Sequence, residues 1–399
     1  MRRQLVLPTL ALVLVVACVS QAAERPGDAS TGIGGGGLLL VRTNGGVAGV
    51  DLSTGIVLFN ESASIASPDH SRIYATSPSG LRVLDAESGD VLGSFSAPAG
   101  TVPIAASEGG LVALIPTGAV SYPQTPEGRR TTPIDIEDSD SGATQHLDLN
   151  GNYEPEAFST DGRSLFLIQY LPAAAPDHYR VMELNLASAK INRVASPDKV
   201  PPSSMQGTRL QQVWAPDRSV LYTLYTNQVS SGAPLTFVHM LNLDEKWAHC
   251  IDLPASFGSS RPNAKAMVGS PDGRLLYVTD ADAHRIATIN ARRFSVATTT
   301  VTDLPSPPSA TPATVSLTAE GTLYVSGGDR ISAFDIESMT SGSTWESDSV
   351  ILDERLSVDG TILYVVTGDE IQGLDPRTGA SLLAIRLPGA NDVLGISSP

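Results

Sequence analysis

Apolar and polar positions along this chain alternate in short bursts, and a turn closes almost every burst. One turn keeps returning. It opens SPDHSRIYAT at residue 67, STDGRSLFLI at 159, APDRSVLYTL at 215, SPDGRLLYVT at 270, TAEGTLYVSG at 318 and SVDGTILYVV at 357, with SEGGLVALI at 107 a weaker copy. Asp-Gly suits a tight turn, because glycine enters the left-handed region without a steric cost. The residues that follow are β-branched, aromatic or leucine, as a buried strand requires.

A second signal is an apolar residue, then Asp or Asn, then another short turn. Its markers are Asp51, Asp85, Asp135, Asn185, Asn242, Asn290, Asp335 and Asp375. A short polar side chain there can hold the following turn by bonding its backbone N–H groups. The markers recur about every 46 residues, the length of a four-stranded propeller blade. Each unit then reads as strand A, the Ser-Pro-Asp-Gly turn, strands B and C, the second turn, and strand D.

The first copy, GGGGLLLVRTNGGVAGVDLSTGIVLF, has no strand A. The chain ends on DVLGISSP, a strand A with nothing after it. The two fragments complete one blade and close a ring, which removes the free sheet edges of an open array. The expectation is an all-β fold: one β-propeller over residues 37–399 with eight four-stranded blades. Seven is the alternative if residues 101–150 fall short of a blade.

Composition narrows the function. Lys+Arg number 26 against 42 Asp+Glu, a formal net charge of −16. Such a surface repels phosphate backbones, so no nucleic-acid partner is expected. The N-terminus reads as an export signal over residues 1–17. Two arginines lead an apolar run too short to span a membrane. The run ends Val15-Val16-Ala17-Cys18, which resembles the bacterial lipobox. That resemblance implies lipidation at Cys18, a flexible tether over 18–36 and a chain anchored outside the cytoplasm, with membrane contact through the lipid alone. Cleavage near Ser20-Gln21-Ala22 and secretion is the rival. Cys250 is then the one cysteine left, so no internal disulfide can form.

SPDGRLLYVTDADAHRIATIN resembles the YVTN-type propeller repeat, and VDLSTGIVLF and LDPRTGASLLAI resemble repeats of quinoprotein-type propellers. The likeness covers most of 37–399 and implies the fold. It also implies two activities found among such proteins, lactone hydrolysis and quinone-dependent dehydrogenation. Most Thr-Gly turns here lack the tryptophan that marks the quinoprotein repeat, Trp345 alone sitting in a comparable place, so no quinone is expected. The six histidines are scattered and form no HExxH pair, so no zinc site of that kind is expected.

Blades four and five depart from the repeat. They carry the inserts LPAAAPDHY and TNQVSSGAPLT, at the rim where propellers bind partners. Their inner strands bring Tyr153, Glu154 and Glu156 in blade four and Arg209 and Gln211 in blade five toward the channel, with Lys265 following in blade six. These six are the candidate ligand-binding residues. Glu154 and Glu156, two apart on one strand face, are the weak candidates for a general acid and base. The same pair can instead form an architectural ion pair with Arg209. Two readings follow: a monomeric scaffold that binds an envelope protein or small ligand at the rim of blades four and five, or a lactonase-like hydrolase. A divalent cation is the one cofactor left open. Carboxylates converging on a free spot favour the enzyme, and capping by Arg209 or Lys265 favours the scaffold.

Overall fold

In the computed structural model the chain is described over residues 37–119, 127–196, 204–227, 235–301 and 303–397. Cys18, the export signal and the tether lie outside these residues. The described residues form eight four-stranded antiparallel sheets and three short 3-10 turns. Blade two is β4 (Ser64–Ala66) to β7 (Val91–Phe95), and blade three is β8 (Thr101–Ala106) to β11 (Ala143–Asn150). Blade four is β12 (Asn152–Phe158), β13 (Ser164–Leu171), β14 (His178–Asn185) and β15 (Lys190–Arg193). Blade five is β16 (Thr208–Trp214), β17 (Val220–Asn227), β18 (Leu235–Asn242) and β19 (Trp247–Asp252). Blade six is β20 (Lys265–Gly269) to β23 (Ser295–Thr300). Blade seven is β24 (Ala313–Leu317), β25 (Thr322–Gly327), β26 (Arg330–Asp335) and β27 (Thr340–Glu346). Blade eight is β28 (Asp353–Leu356), β29 (Leu363–Val366), β30 (Glu370–Leu374) and β31 (Ser381–Arg386). The third copy is a complete blade, so the count is eight.

Blade one joins the two ends of the chain. Its strands β1 (Leu38–Thr43), β2 (Gly46–Asp51) and β3 (Ile56–Ser62) take β32 (Ala390–Ile396) as the inner strand. The register runs from Leu39 opposite Ile396 to Thr43 opposite Ala390. Ser397 continues the pairing through its N–H to the Leu38 carbonyl at 2.9 Å.

The apolar core is divided among the seams between neighbouring blades. Leu39, Val41 and Val50 meet Tyr364, Val366 and Ile371 between blades one and eight. Leu38, Leu40 and Val47 meet Ile73 and Leu84 between blades one and two. Blade one therefore supplies both seams from alternate faces of single strands.

The repeated turn has a repeated mechanism. In Ser159-Thr160-Asp161-Gly162, the Ser159 hydroxyl donates to Asp161 at 2.6 Å, and Asp161 accepts the Arg163 N–H at 3.0 Å. The Ser164 N–H then bonds back to the Ser159 hydroxyl at 3.0 Å. The same bonds form at Ser270 with Asp272 and at Ser357 with Asp359. Glycine holds the left-handed position at Gly162, Gly273 and Gly360, but His70 (φ 60°) and Arg218 (φ 56°) fill it in blades two and five. His70 lies over Gly395 of β32, where an added Cβ would sit 2.2 Å from its Nδ1. Burial, then Arg355 and Arg218, lower His70 to about 4, so the ring is neutral.

One marker is corrected. In blade three the residue that holds the second turn is Asp138, which accepts the Asp140 N–H at 3.0 Å. Asp135 lies mid-strand and buried, bonded to His146 Nδ1 at 2.7 Å. Strand β10 (Thr131–Asp138) simply runs further than its counterparts before it turns.

Two outcomes are expected. Removing residues 390–399 should abolish the single cooperative melting transition rather than trim a tail, because fully buried Val393 alone contributes about 1.5–3 kcal/mol. Calorimetry of the truncated chain checks this, and an unchanged transition refutes it. The turn aspartates Asp161, Asp272 and Asp359 are held below their ordinary 3.8, in each case first by the serine hydroxyl that donates to them. Carboxyls depressed in the fold stabilise it above their unfolded value, and that stability is lost as pH falls. Melting temperature should therefore drop below about pH 4, and drop less steeply when all three are Asn.

Candidate functional site

A four-stranded meander puts its A–B and C–D turns on one face of the ring and its B–C and D–A connections on the other. On the first face the turns are short throughout. On the second, blades one and two are trimmed: residues 44–45 join β1 to β2, residue 63 leads into blade two and residues 78–79 join two strands there. Blades three to six are elaborated on that face. Residues 117–130 and 172–177 lie between strands B and C of blades three and four, and 253–264 and 301–312 lead into blades six and seven. The insert TNQVSSGAPLT falls largely outside the described residues.

These connections are tied to one another. The Arg129 N–H bonds the Ala173 carbonyl at 2.9 Å. Arg129 Nε donates to Asn152 Oδ1 at 2.7 Å, and Asn152 Nδ2 donates to the Glu127 carbonyl at 3.0 Å. Tyr179 and Met205 exchange two backbone bonds at 2.7 and 2.9 Å. Further round, Arg261 donates to Asp282 at 2.7 and 2.8 Å and to the Pro307 carbonyl at 3.0 Å. Asn263 Nδ2 reaches the Pro308 carbonyl at 3.0 Å. Arg261 holds Asp282 down to about 2, despite partial burial.

Beneath this face, the joint of blades four and five brings together three of the six candidate residues. Arg209 Nη1 bonds Glu156 Oε2 at 2.9 Å, and Nη2 lies 3.5 Å from Glu154 Oε1. The Glu154 and Glu156 side chains are 1 % and 3 % exposed, so their oxygens are almost wholly withdrawn from solvent. A bulge explains how both meet one guanidinium. The register of β12 shifts between Pro155 and Ala157, leaving Glu156 as the extra residue and re-aiming it. A matching shift in β16 falls between Arg209 and Gln211. Tyr170 OH donates to Glu154 Oε2 at 3.1 Å, and Gln212 Nε2 donates to Glu156 Oε1.

The electrostatics follow from burial. Desolvation pushes Glu156 up, the Glu154 charge adds to this, and Arg209 opposes both. Desolvation is the largest influence on Arg209 and lowers it, but Glu156, Tyr225 and Glu154 together outweigh it and the net direction is upward. Tyr225, wholly enclosed behind the guanidinium, is raised well above its ordinary 10.0 by burial. Tyr179 and Tyr225 lie 5.5 Å apart, centre to centre, in the same aromatic row.

The other three candidates go elsewhere. Tyr153 is packed in the seam of blades three and four and accepts from Gln169 at 2.8 Å. Gln211 Oε1 accepts the Met267 N–H at 2.7 Å, stitching blade five to blade six. Lys265 is fully enclosed, its Nζ donating to the Ser260 and Arg261 carbonyls at 2.8 and 3.0 Å with Asp280 3.8 Å away. Burial lowers it, and Asp280 counteracts. Arg129, Tyr170 and Gln212 join the cluster without having been singled out. In the sequence Arg129 is one of two adjacent arginines, and only the path of the loop brings it to Asn152. Among the described residues no three His, Cys, Asp or Glu side chains are grouped to hold a metal.

No known protein-family model and no curated protein sequence matches the chain. Solved structures match it as a fold. AztD from Citrobacter koseri aligns with a TM-score of 0.53 at 12 % identity, over 92 % of this chain and 98 % of that one. Sqt1 from Saccharomyces cerevisiae aligns at 0.51 and 9 % identity, over 82 % and 86 %. Dihydro-heme d1 dehydrogenase NirN aligns at 0.50 and 15 % identity, over 81 % of this chain, which spans 64 % of NirN. At these identities the chain shares the β-propeller fold with proteins of several different roles.

Proposed function

We propose that this protein is an extracytoplasmic, lipid-anchored propeller that binds an envelope protein or a small ligand on the elaborated face of blades three to six. The observation that carries this reading is the placement of the insertions. They gather on one face and one arc of the ring, and hydrogen bonds hold their described parts in place. Loops fixed before binding lose less entropy when a partner docks. NirN, determined in complex with DHE, is a precedent for a ligand on this fold and supports no more than that. The anchor rests on the Val15–Cys18 sequence alone.

Lactonase-like hydrolysis is the weaker reading. General acid–base work needs a carboxyl within reach of substrate. Glu154 and Glu156 are enclosed and bonded to Arg209, so their arrangement serves the joint.

Three results would test this. Arg209→Met should cost about 3–5 kcal/mol in chemical denaturation, because it strands two buried carboxylates. A stable Arg209→Met chain would mean the acids are free for other work. Replacing residues 172–177 with an Asn-Gly turn should abolish retention of the partner from an envelope extract while the melting temperature holds. Equal retention by both chains would overturn the proposed face. Cys18→Ala should move the protein from the membrane to the soluble fraction, and an unchanged distribution would refute the anchor.

A further inference from the structure

The joint between blades seven and eight buries an acid of a different kind. Glu354 lies on β28, the inner strand of blade eight, and is 3 % exposed. Its neighbours across the joint are hydroxyls. Ser326 Oγ donates to Glu354 Oε2, and Ser316 Oγ donates to the Glu354 carbonyl at 3.0 Å. Thr314 is cross-strand to Ser326 and two residues before Ser316, so it shares their face of blade seven. Thr314 is 6 % exposed. Two buried oxygens in this group, Glu354 Oε1 and Thr314 Oγ1, have no hydrogen-bond partner among the described residues.

The charges around it do not balance. No Lys, Arg or His side chain bonds Glu354 among the described residues. Tyr324 is the titratable group that approaches from blade seven, and burial has already pushed its hydroxyl up. Val365, opposite Glu354 on β29, is apolar. Asp353 faces the other way and accepts the Val393 N–H of β32 at 2.8 Å; Arg355, two residues on, shares that face. A buried carboxylate without a counter-charge is costly, and a water molecule between the two oxygens would not neutralise it. Either a proton or a cation must do so.

We propose that this joint is a binding site for one monovalent metal cation, with Glu354 Oε1 and Thr314 Oγ1 among its oxygen ligands. One carboxylate matches one positive charge. A divalent ion normally gathers six to eight oxygens and more than one acid, which this joint does not supply. Hard cations take carboxylate and hydroxyl oxygens, the donors that Glu354 and Thr314 offer here. Protons compete for the same oxygen. Burial raises Glu354 to about 7, with its serine contacts opposing, so the acid is neutral in mildly acidic solution and charged above. The neutral form stabilises the fold below the ordinary 4.5, and that contribution is lost as pH rises through 7. The cation restores it on the alkaline side.

Calorimetry of the full chain in sodium, potassium or choline chloride at equal ionic strength tests this. At pH 8.5 sodium or potassium should raise the melting temperature by at least about 2 °C over choline, through preferential binding to the folded state. At pH 5.5 the three salts should give the same value. Glu354→Gln should remove the difference at pH 8.5, and Thr314→Val should reduce it. Equal melting in all three salts at pH 8.5 would overturn the proposal, since the wild-type chain then needs only a proton. A metal-ion effect that survives in Glu354→Gln would overturn it too, by placing the site elsewhere.

Discussion

Everything in this fold depends on the pairing of β1 with β32. A blade has no stability by itself, because each face of its sheet is apolar and needs a neighbour. Seven neighbours in a row still leave two unmatched faces. The chain resolves this by splitting one blade between its ends, so that the last strand is hydrogen-bonded into the first sheet. The closing strand also packs sideways. Gly395 lets His70 of blade two lie across it, and Asp353 of blade eight receives its Val393 N–H. Closure is thus a three-blade contact and not a single ladder.

Once the ring is closed, its inner wall becomes the place where buried polar groups meet. Outer strands can send polar side chains to water, and the middle strands carry the apolar seams. Inner strands approach one another most closely, so a polar residue there faces another blade. Bulges multiply the choices, since one extra residue turns a side chain from one neighbour toward the other. Glu156 owes its contact with Arg209 to such a shift.

The repeat was legible because it is written in local chemistry. Ser67, Ser159, Ser270 and Ser357 each meet an Asp two residues on, and that spacing is visible in any unaligned chain. Blade count and closure follow from it. Asp135 misled for the opposite reason: the pattern around it fits the marker, and only the length of β10 moves the turn to Asp138. The site was legible in part. Glu154, Glu156 and Arg209 stand out as charges on inner strands, and their adjacency follows from blade order. Lys265 has the same signature but begins its strand, where carbonyls of the preceding loop accept its hydrogen bonds. Arg129 and Tyr170 reach the cluster through loop path and strand register, which spacing does not encode. Glu354 was not singled out, because its want of a counter-charge shows only once β28 is set against the hydroxyls of blade seven.

The two buried acid clusters show how one ring can be rigid in one arc and sensitive in another. At blades four and five Arg209 sits between two carboxylates and Arg129 lies close enough to feel the Glu154 charge, so two cations of the chain stand against two acids. At blades seven and eight the carboxyl has only hydroxyls, so its balance must be imported from solvent. The elaborated loops stand over the self-balanced joint. That placement fits a binding surface, because a face that must hold its shape is best supported by partners that the chain itself supplies. The solvent-balanced joint lies at the edge of that face, since Thr314 follows the 301–312 connection by two residues.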